Sequence, residues 1–189
     1  MKARGFSVFL ALLVVGLSLV FGTEPFYVAR AAGIDGTELG RLYSEFEGSW
    51  DYVPDGEVDL WSVSPEHQGD CEDFALTFYV EYPRPVAGWI LIVNTRSSFL
   101  ERLLGASSKT SSHALLVLWE QDGFYVVDNG NVVNLEGPFS SYEEAVTFYV
   151  EASRAVSAWD FLLPSSTEVA SGIEGLRDLY LVSRHQVFP

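Results

Sequence analysis

The sequence predicts an α+β fold in which a helix opening at Cys71 packs on an antiparallel sheet. Three observations carry that prediction. From Glu72 onward, Phe74, Ala75, Phe78, Tyr79 and Tyr82 recur in three- and four-residue steps, the spacing of one helical face. Val86 to Val93 is a continuous apolar run of buried-strand length. Ala114 to Trp119 and Phe124 to Val127 then flank a short polar break ending in Asp122-Gly123, a hairpin signal. A helix followed by such strands is an α+β pattern.

The elements come in chain order. Met1 to Gly5 carries Lys2 and Arg4, and Phe6 to Phe21 is almost continuously apolar, the build of an export signal. Small residues at Gly22 and in Ala29-Arg30-Ala31 can serve a signal peptidase. The run also approaches the shortest membrane span, about 17 residues. Residues 1–22 therefore read as a signal peptide or a membrane anchor, with residues 6–22 as the tethering span. Positive charge before the run places the rest of the chain outside the cytoplasm. Residues 23–36 read as a tether, and residues 37–189 as one domain.

Within that domain, Thr37 to Phe46 predicts a short amphipathic helix with Leu39, Leu42, Tyr43 and Phe46 inward. Gly48 to Pro65 reads as an irregular loop. The Cys71 helix ends before Pro83 and Pro85, which cannot continue it. Asn94 to Ser112 reads as a polar, Ser-rich loop with a turn of helix around Phe99 to Leu104. After the hairpin, Asn129-Gly130-Asn131 turns into a strand at Val132 to Leu135. Ser141 and Glu144 resemble a capping box opening a helix over Tyr142 to Ala152. Leu179 to Ser183 is a last strand candidate.

Composition narrows the function. Of 189 residues 48% are hydrophobic, which suits a globular domain with a real core. A net charge of −15, from 26 acids against 11 bases, excludes binding along a nucleic-acid backbone. Cys71 is the only cysteine, so no internal disulfide can form.

A thiol in the first turn of a helix faces unpaired N–H groups and the positive dipole end, and both favour the nucleophilic thiolate. Asp70, Glu72 and Asp73 oppose that effect unless their side chains point elsewhere, and Asp70 can instead cap the helix. A lone cysteine in a folded domain is usually just a small buried apolar residue. A thiolate nucleophile needs a base, and the base an orienting acceptor. Of His67, His113 and His185, His113 is the best placed, because it opens the strand that runs to Trp119. Asp128 stands at the matching end of the next strand, and antiparallel pairing brings the two together.

Gly69-Asp70-Cys71-Glu72-Asp73-Phe74-Ala75 resembles the cysteine motif of the bacterial transglutaminase-like cysteine proteinases. Asp59-Leu60-Trp61 and Ser64-Pro65-Glu66 are similar to the segment preceding that motif. Ser112-His113-Ala114-Leu115-Leu116-Val117 resembles the family's histidine strand, and Val126-Val127-Asp128-Asn129 its aspartate strand. The likeness covers roughly Asp59 to Asn134; the Ser-rich segment within it and the chain beyond it have no counterpart.

The resemblance implies a papain-like, transglutaminase-type core with Cys71 as nucleophile, His113 as general base and Asp128 as orienter. It implies an exported cysteine peptidase acting on a protein or peptide substrate through an acyl-enzyme. The oxyanion donors would be the Cys71 N–H and one group from Gln68 or Trp61. No cofactor is required by this scheme. Some relatives bind calcium through acids flanking the cysteine, here Asp70 and Glu72; a cap and a solvated face explain the same residues. Two other readings stay open: an amide-transferring transglutaminase, and a domain without catalysis that binds a protein partner in its cleft.

Overall fold

A computed structural model describes residues 37–55, 61–83, 87–96, 110–130, 132–171 and 185–188. Helix α1 (Glu38–Glu47) begins at Thr37, whose hydroxyl accepts the Gly40 N–H at 3.0 Å and satisfies one orphan donor of the first turn. Leu39, Tyr43 and Phe46 are buried, as their spacing predicts. Two short strands, β1 (Asp51–Tyr52) and β2 (Gln68–Gly69), pair in parallel ahead of the Cys71 helix, the first of them inside the segment predicted as loop. Helix α2 (Cys71–Glu81) comes directly after β2 and Asp70, and stops at Tyr82, one residue before Pro83.

The sheet is built from β3 (Ala87–Arg96), β4 (Thr110–Glu120), β5 (Gly123–Val127), β6 (Leu135–Phe139), β7 (Ala155–Leu162) and β8 (His185–Phe188). Its spatial order is β6-β5-β4-β3-β7-β8, and every neighbouring pair is antiparallel. Helix α3 (Tyr142–Ser153) carries the chain from β6 to β7, and the short α4 (Ser166–Ala170) comes after β7.

Strand alternation divides the core into two layers. Ile90, Ile92, Ala114, Leu116, Leu118, Tyr125 and Val127 pack with α1, α2 and α4 on one face. Leu91, Val93, Leu115, Val117 and Val126 pack with α3 on the other. The described residues thus form a helix–sheet–helix sandwich, of the α+β class that the sequence predicts. Helix α2 lies so close to the sheet that a Cβ on Gly88 would stand 2.7 Å from the Tyr79 ring. Its residues Glu72 to Tyr79 are all buried, so the helix is enclosed nearly all round and not on one stripe.

Several expectations need correction. β3 extends to Arg96 and β4 starts at Thr110, so both strands reach into the stretch predicted as loop, and His113 is the fourth residue of its strand, not its first. Val132 to Leu135 is not a strand; β6 begins where that segment ends, because Val132 and Val133 spend their N–H groups on the Asp128 carboxylate. Strand β7 and helix α4 are not predicted by the sequence. Ser141 caps α3 by accepting the Glu144 N–H, but Glu144 reaches back to Ser140 and not to the cap residue, so the box is not reciprocal.

The signal or anchor at 1–22, the tether at 23–36, the turn of helix at 99–104 and the strand at 179–183 lie outside the described residues. Among the described residues no helix is long and apolar enough to cross a membrane.

Candidate active site

The sheet brings His113 and Asp128 together. β5 pairs with β4 only from Leu116 to Glu120, so β4 runs on past the end of β5 and carries His113 beside the turn that starts at Asp128. His113 Nε2 and Asp128 Oδ1 are 2.6 Å apart, with Asp128 fully buried and His113 9% exposed. A carboxylate in its ionised form can only accept, so toward it Nε2 is the donor, and in the neutral ring Nδ1 is then the nitrogen with the lone pair. That is the tautomer a base needs if its second nitrogen is to take a proton from a thiol.

Asp128 is held on every side. Its Oδ2 accepts the Tyr149 hydroxyl at 2.8 Å and the N–H groups of Val132 and Val133 at 3.2 and 3.4 Å. Its backbone carbonyl accepts the Tyr43 hydroxyl at 2.6 Å, and its N–H donates to Asn134 O. The Tyr149 ring also stacks on His113, centroids 6.4 Å apart.

Cys71 begins α2, half-buried, where the sequence places it. Its sulfur accepts the Ala114 N–H at 3.4 Å, so the thiol touches the residue next to His113. The thiol proton goes elsewhere. Sγ donates to Glu72 Oε2 at 3.1 Å, and among the described residues no hydrogen bond joins Sγ to the His113 ring. Burial pushes the thiol pKa well above its ordinary range, and the Glu72 charge raises it further; the Ala114 N–H opposes them, while Glu72's acceptance of the S–H and the Asp70 charge add to the rise. The helix N-terminus is outweighed: in this geometry burial and Glu72 favour the thiol over the thiolate, the reverse of what its position alone suggests.

The flanking acids also differ from expectation. Asp70 occupies the cap position but makes no side-chain cap bond, and its Oδ1 is buried without a partner. Glu72 is buried, not solvated. Asp73 turns back to accept from Ser62 N at 2.7 Å and Ser62 Oγ at 3.0 Å. Burial lifts its pKa to about 6, with those two bonds opposing. A Cβ at Gly69, where φ is +149°, would stand 2.4 Å from Asp73 Oδ2, so glycine is required there.

One ligand atom each from Asp70, Cys71 and Glu72 lie within 4.8 Å of one another. The orphaned Asp70 oxygen and Glu72 Oε2 are hard donors of the kind calcium takes, though a calcium shell needs six to eight oxygens. Two side chains would have to be joined by backbone or water oxygens.

Of the two oxyanion candidates, Gln68 has an exposed side chain in β2, and Trp61 stacks on Phe161 at 5.7 Å. His67, less well placed than His113 on sequence grounds, is engaged elsewhere, with Ser49 Oγ and Glu81 Oε1. The site residues that sequence reasoning misses are Tyr43, Tyr149 and, as acceptor of the thiol, Glu72. Both tyrosines sit at core spacing on their helices, and nothing local distinguishes a core tyrosine from one bonded to a distant carboxylate. No protein-family model matches the chain, and no curated protein matches it.

Proposed function

We propose that the protein is an extracytoplasmic thiol hydrolase, a cysteine peptidase of transglutaminase-like, papain-like type. The observation that carries this reading is the buried His113–Asp128 pair, joined at 2.6 Å one residue from the N–H that rests on the Cys71 sulfur. The apolar run from Phe6 to Phe21 behind Lys2 and Arg4 supports export, with or without a membrane tether.

In the proposed reaction the Cys71 side chain turns from Glu72 toward His113 and gives its proton to Nδ1. The thiolate attacks an amide carbonyl of a protein or peptide, and the tetrahedral oxyanion is held by the Cys71 N–H and a second donor, Gln68 or Trp61. His113 then protonates the leaving amine, and water, activated by the same imidazole, releases the acyl group from sulfur. Asp128 keeps the ring in one tautomer throughout. Asp70 and Glu72 are the residues that would hold calcium; a cation there would offset the carboxylate charge that now holds the thiol protonated.

The test is turnover of a denatured-protein peptide mixture, read by mass spectrometry. Cys71→Ala should abolish cleavage with the thermal midpoint kept, and His113→Ala should lower it at least about a hundredfold, the usual worth of a general base. Full residual activity in Cys71→Ala would sink the proposal. The bond from Cys71 to Glu72 favours a second reading, a cleft that binds a protein partner without chemistry. That reading gains if wild type cleaves nothing and its thiol alkylates no faster than in His113→Ala.

A further inference from the structure

We propose that Tyr149 is a positioning residue of the site: its hydroxyl fixes the rotation of the Asp128 carboxylate and through it the tautomer and tilt of His113. The inference rests on the reading of Cys71, His113 and Asp128 as nucleophile, base and orienter.

A carboxylate has two oxygens and can turn about its last bond. Asp128 must offer one oxygen to His113 Nε2 and keep the other away. Three donors converge on Oδ2, and the Tyr149 hydroxyl at 2.8 Å is the closest of them. The other two come from the backbone of the turn after β5, at 3.2 and 3.4 Å. Tyr149 differs in origin as well as length. It projects from α3, a helix packed against the sheet through Ala145, Val146 and Val150, so its hydroxyl is located by the core and not by a loop.

With Oδ2 pinned, Oδ1 is left to the imidazole. The phenol ring adds a second restraint, lying within 22° of parallel to the His113 ring. Tyr149 is itself wholly buried, and its hydroxyl donates into the core, to Asp128. A buried hydroxyl must find some acceptor, and here that acceptor is the one carboxylate bonded to His113, whereas phenylalanine would fill the same space without a donor.

The variant Tyr149→Phe removes the hydroxyl and keeps the ring. Two readouts are taken on the full domain with its thermal midpoint as control. The first is the ¹⁵N spectrum of the histidine rings, with His113 assigned from His113→Ala. Wild type should show the Nε2–H form, and Tyr149→Phe a mixture of both neutral tautomers. The second is the His113-dependent rate of Cys71 alkylation by iodoacetamide at neutral pH. It should fall about tenfold, the worth of one hydrogen bond to a charged group.

An unchanged His113 spectrum together with an unchanged rate would overturn the proposal. So would a fall in rate with the spectrum unmoved, since that is a packing effect. The spectrum needs no catalysis, so it also separates the two ideas. A wild-type thiol indifferent to His113→Ala refutes the nucleophile–base reading, while the tautomer comparison still decides what Tyr149 does.

Discussion

Glu72 is where a single side chain changes what Cys71 can do. It accepts the thiol proton at 3.1 Å, and its charge stands second only to burial in raising the thiol pKa. Glu72→Gln removes that charge. The alkylation rate of Cys71 should then climb at a lower pH than in wild type, by about one unit or more, as one adjacent charge commonly shifts a pKa. An unchanged profile would show that burial alone sets the thiol. Calcium held by Asp70 and Glu72 would shift wild type in the same direction and chelator would reverse it; a profile indifferent to both would show that the pair holds no calcium.

Asp73 allows a stability prediction of definite sign. Its pKa rises on folding from 3.8 to about 6, so the folded state binds the proton more tightly than the unfolded chain. Stability from this group is therefore complete at low pH and is lost as pH rises through that window. Asp73→Asn cannot ionise. Its thermal midpoint should gain on wild type across the interval between those two pKa values and keep that gain at neutral pH; a constant offset across the range would refute the assignment.

At the scale of elements, His67 fastens the segment that leads into α2. Its backbone is left-handed, with φ at 53°, an uncommon conformation for a residue with a side chain. The ring compensates. Nδ1 meets Ser49 Oγ at 2.6 Å, just beyond α1, and Nε2 meets Glu81 Oε1 at 2.9 Å, at the end of α2. Phe46 and Trp50 lie against it. His67 N and O bond Ser64 and Asp51, so one residue links both helices to the β1–β2 pairing. His67→Ala should cost about 1–3 kcal/mol of stability in denaturant unfolding, as the loss of a hydrogen-bonded network does. It should leave cleavage at saturating substrate unchanged; loss of turnover in a folded variant would return His67 to candidacy as a base.

For the whole molecule, the net charge of −15 is spread over a small chain, and its parts repel. Raising sodium chloride from about 20 to about 500 mM should lift the thermal midpoint by about 2–5 °C as that repulsion is screened. A midpoint that falls would mean that attractive pairs dominate.

How much of this the sequence reveals is a matter of range. The place of Cys71 is legible because a helix start is marked locally, and the meeting of His113 with Asp128 because one hairpin fixes both, although His113 is the fourth residue of its strand. Strand β7 is hidden because its buried positions include Ala155, Ala158 and Asp160, which give no alternating apolar pattern. Helix α4, at five residues, is too short to show a period, although Ser165 and Glu168 form a full capping box. The direction of the thiol proton is illegible for another reason. Helix dipole, burial and a neighbouring carboxylate compete there, and only the side-chain rotamers decide which wins.

The two tyrosines that hold Asp128 come from either side of it in the chain, Tyr43 from 85 residues before and Tyr149 from 21 residues after. A nascent chain therefore has Cys71, His113 and Asp128 out of the ribosome before it has the means to align them. Until α3 is made and docked, the carboxylate lacks its closest Oδ2 donor and the imidazole lacks its stacking partner. Under the proposed reading, a chain that stops short of this late-made helix would carry His113 and Asp128 without the group that aligns them.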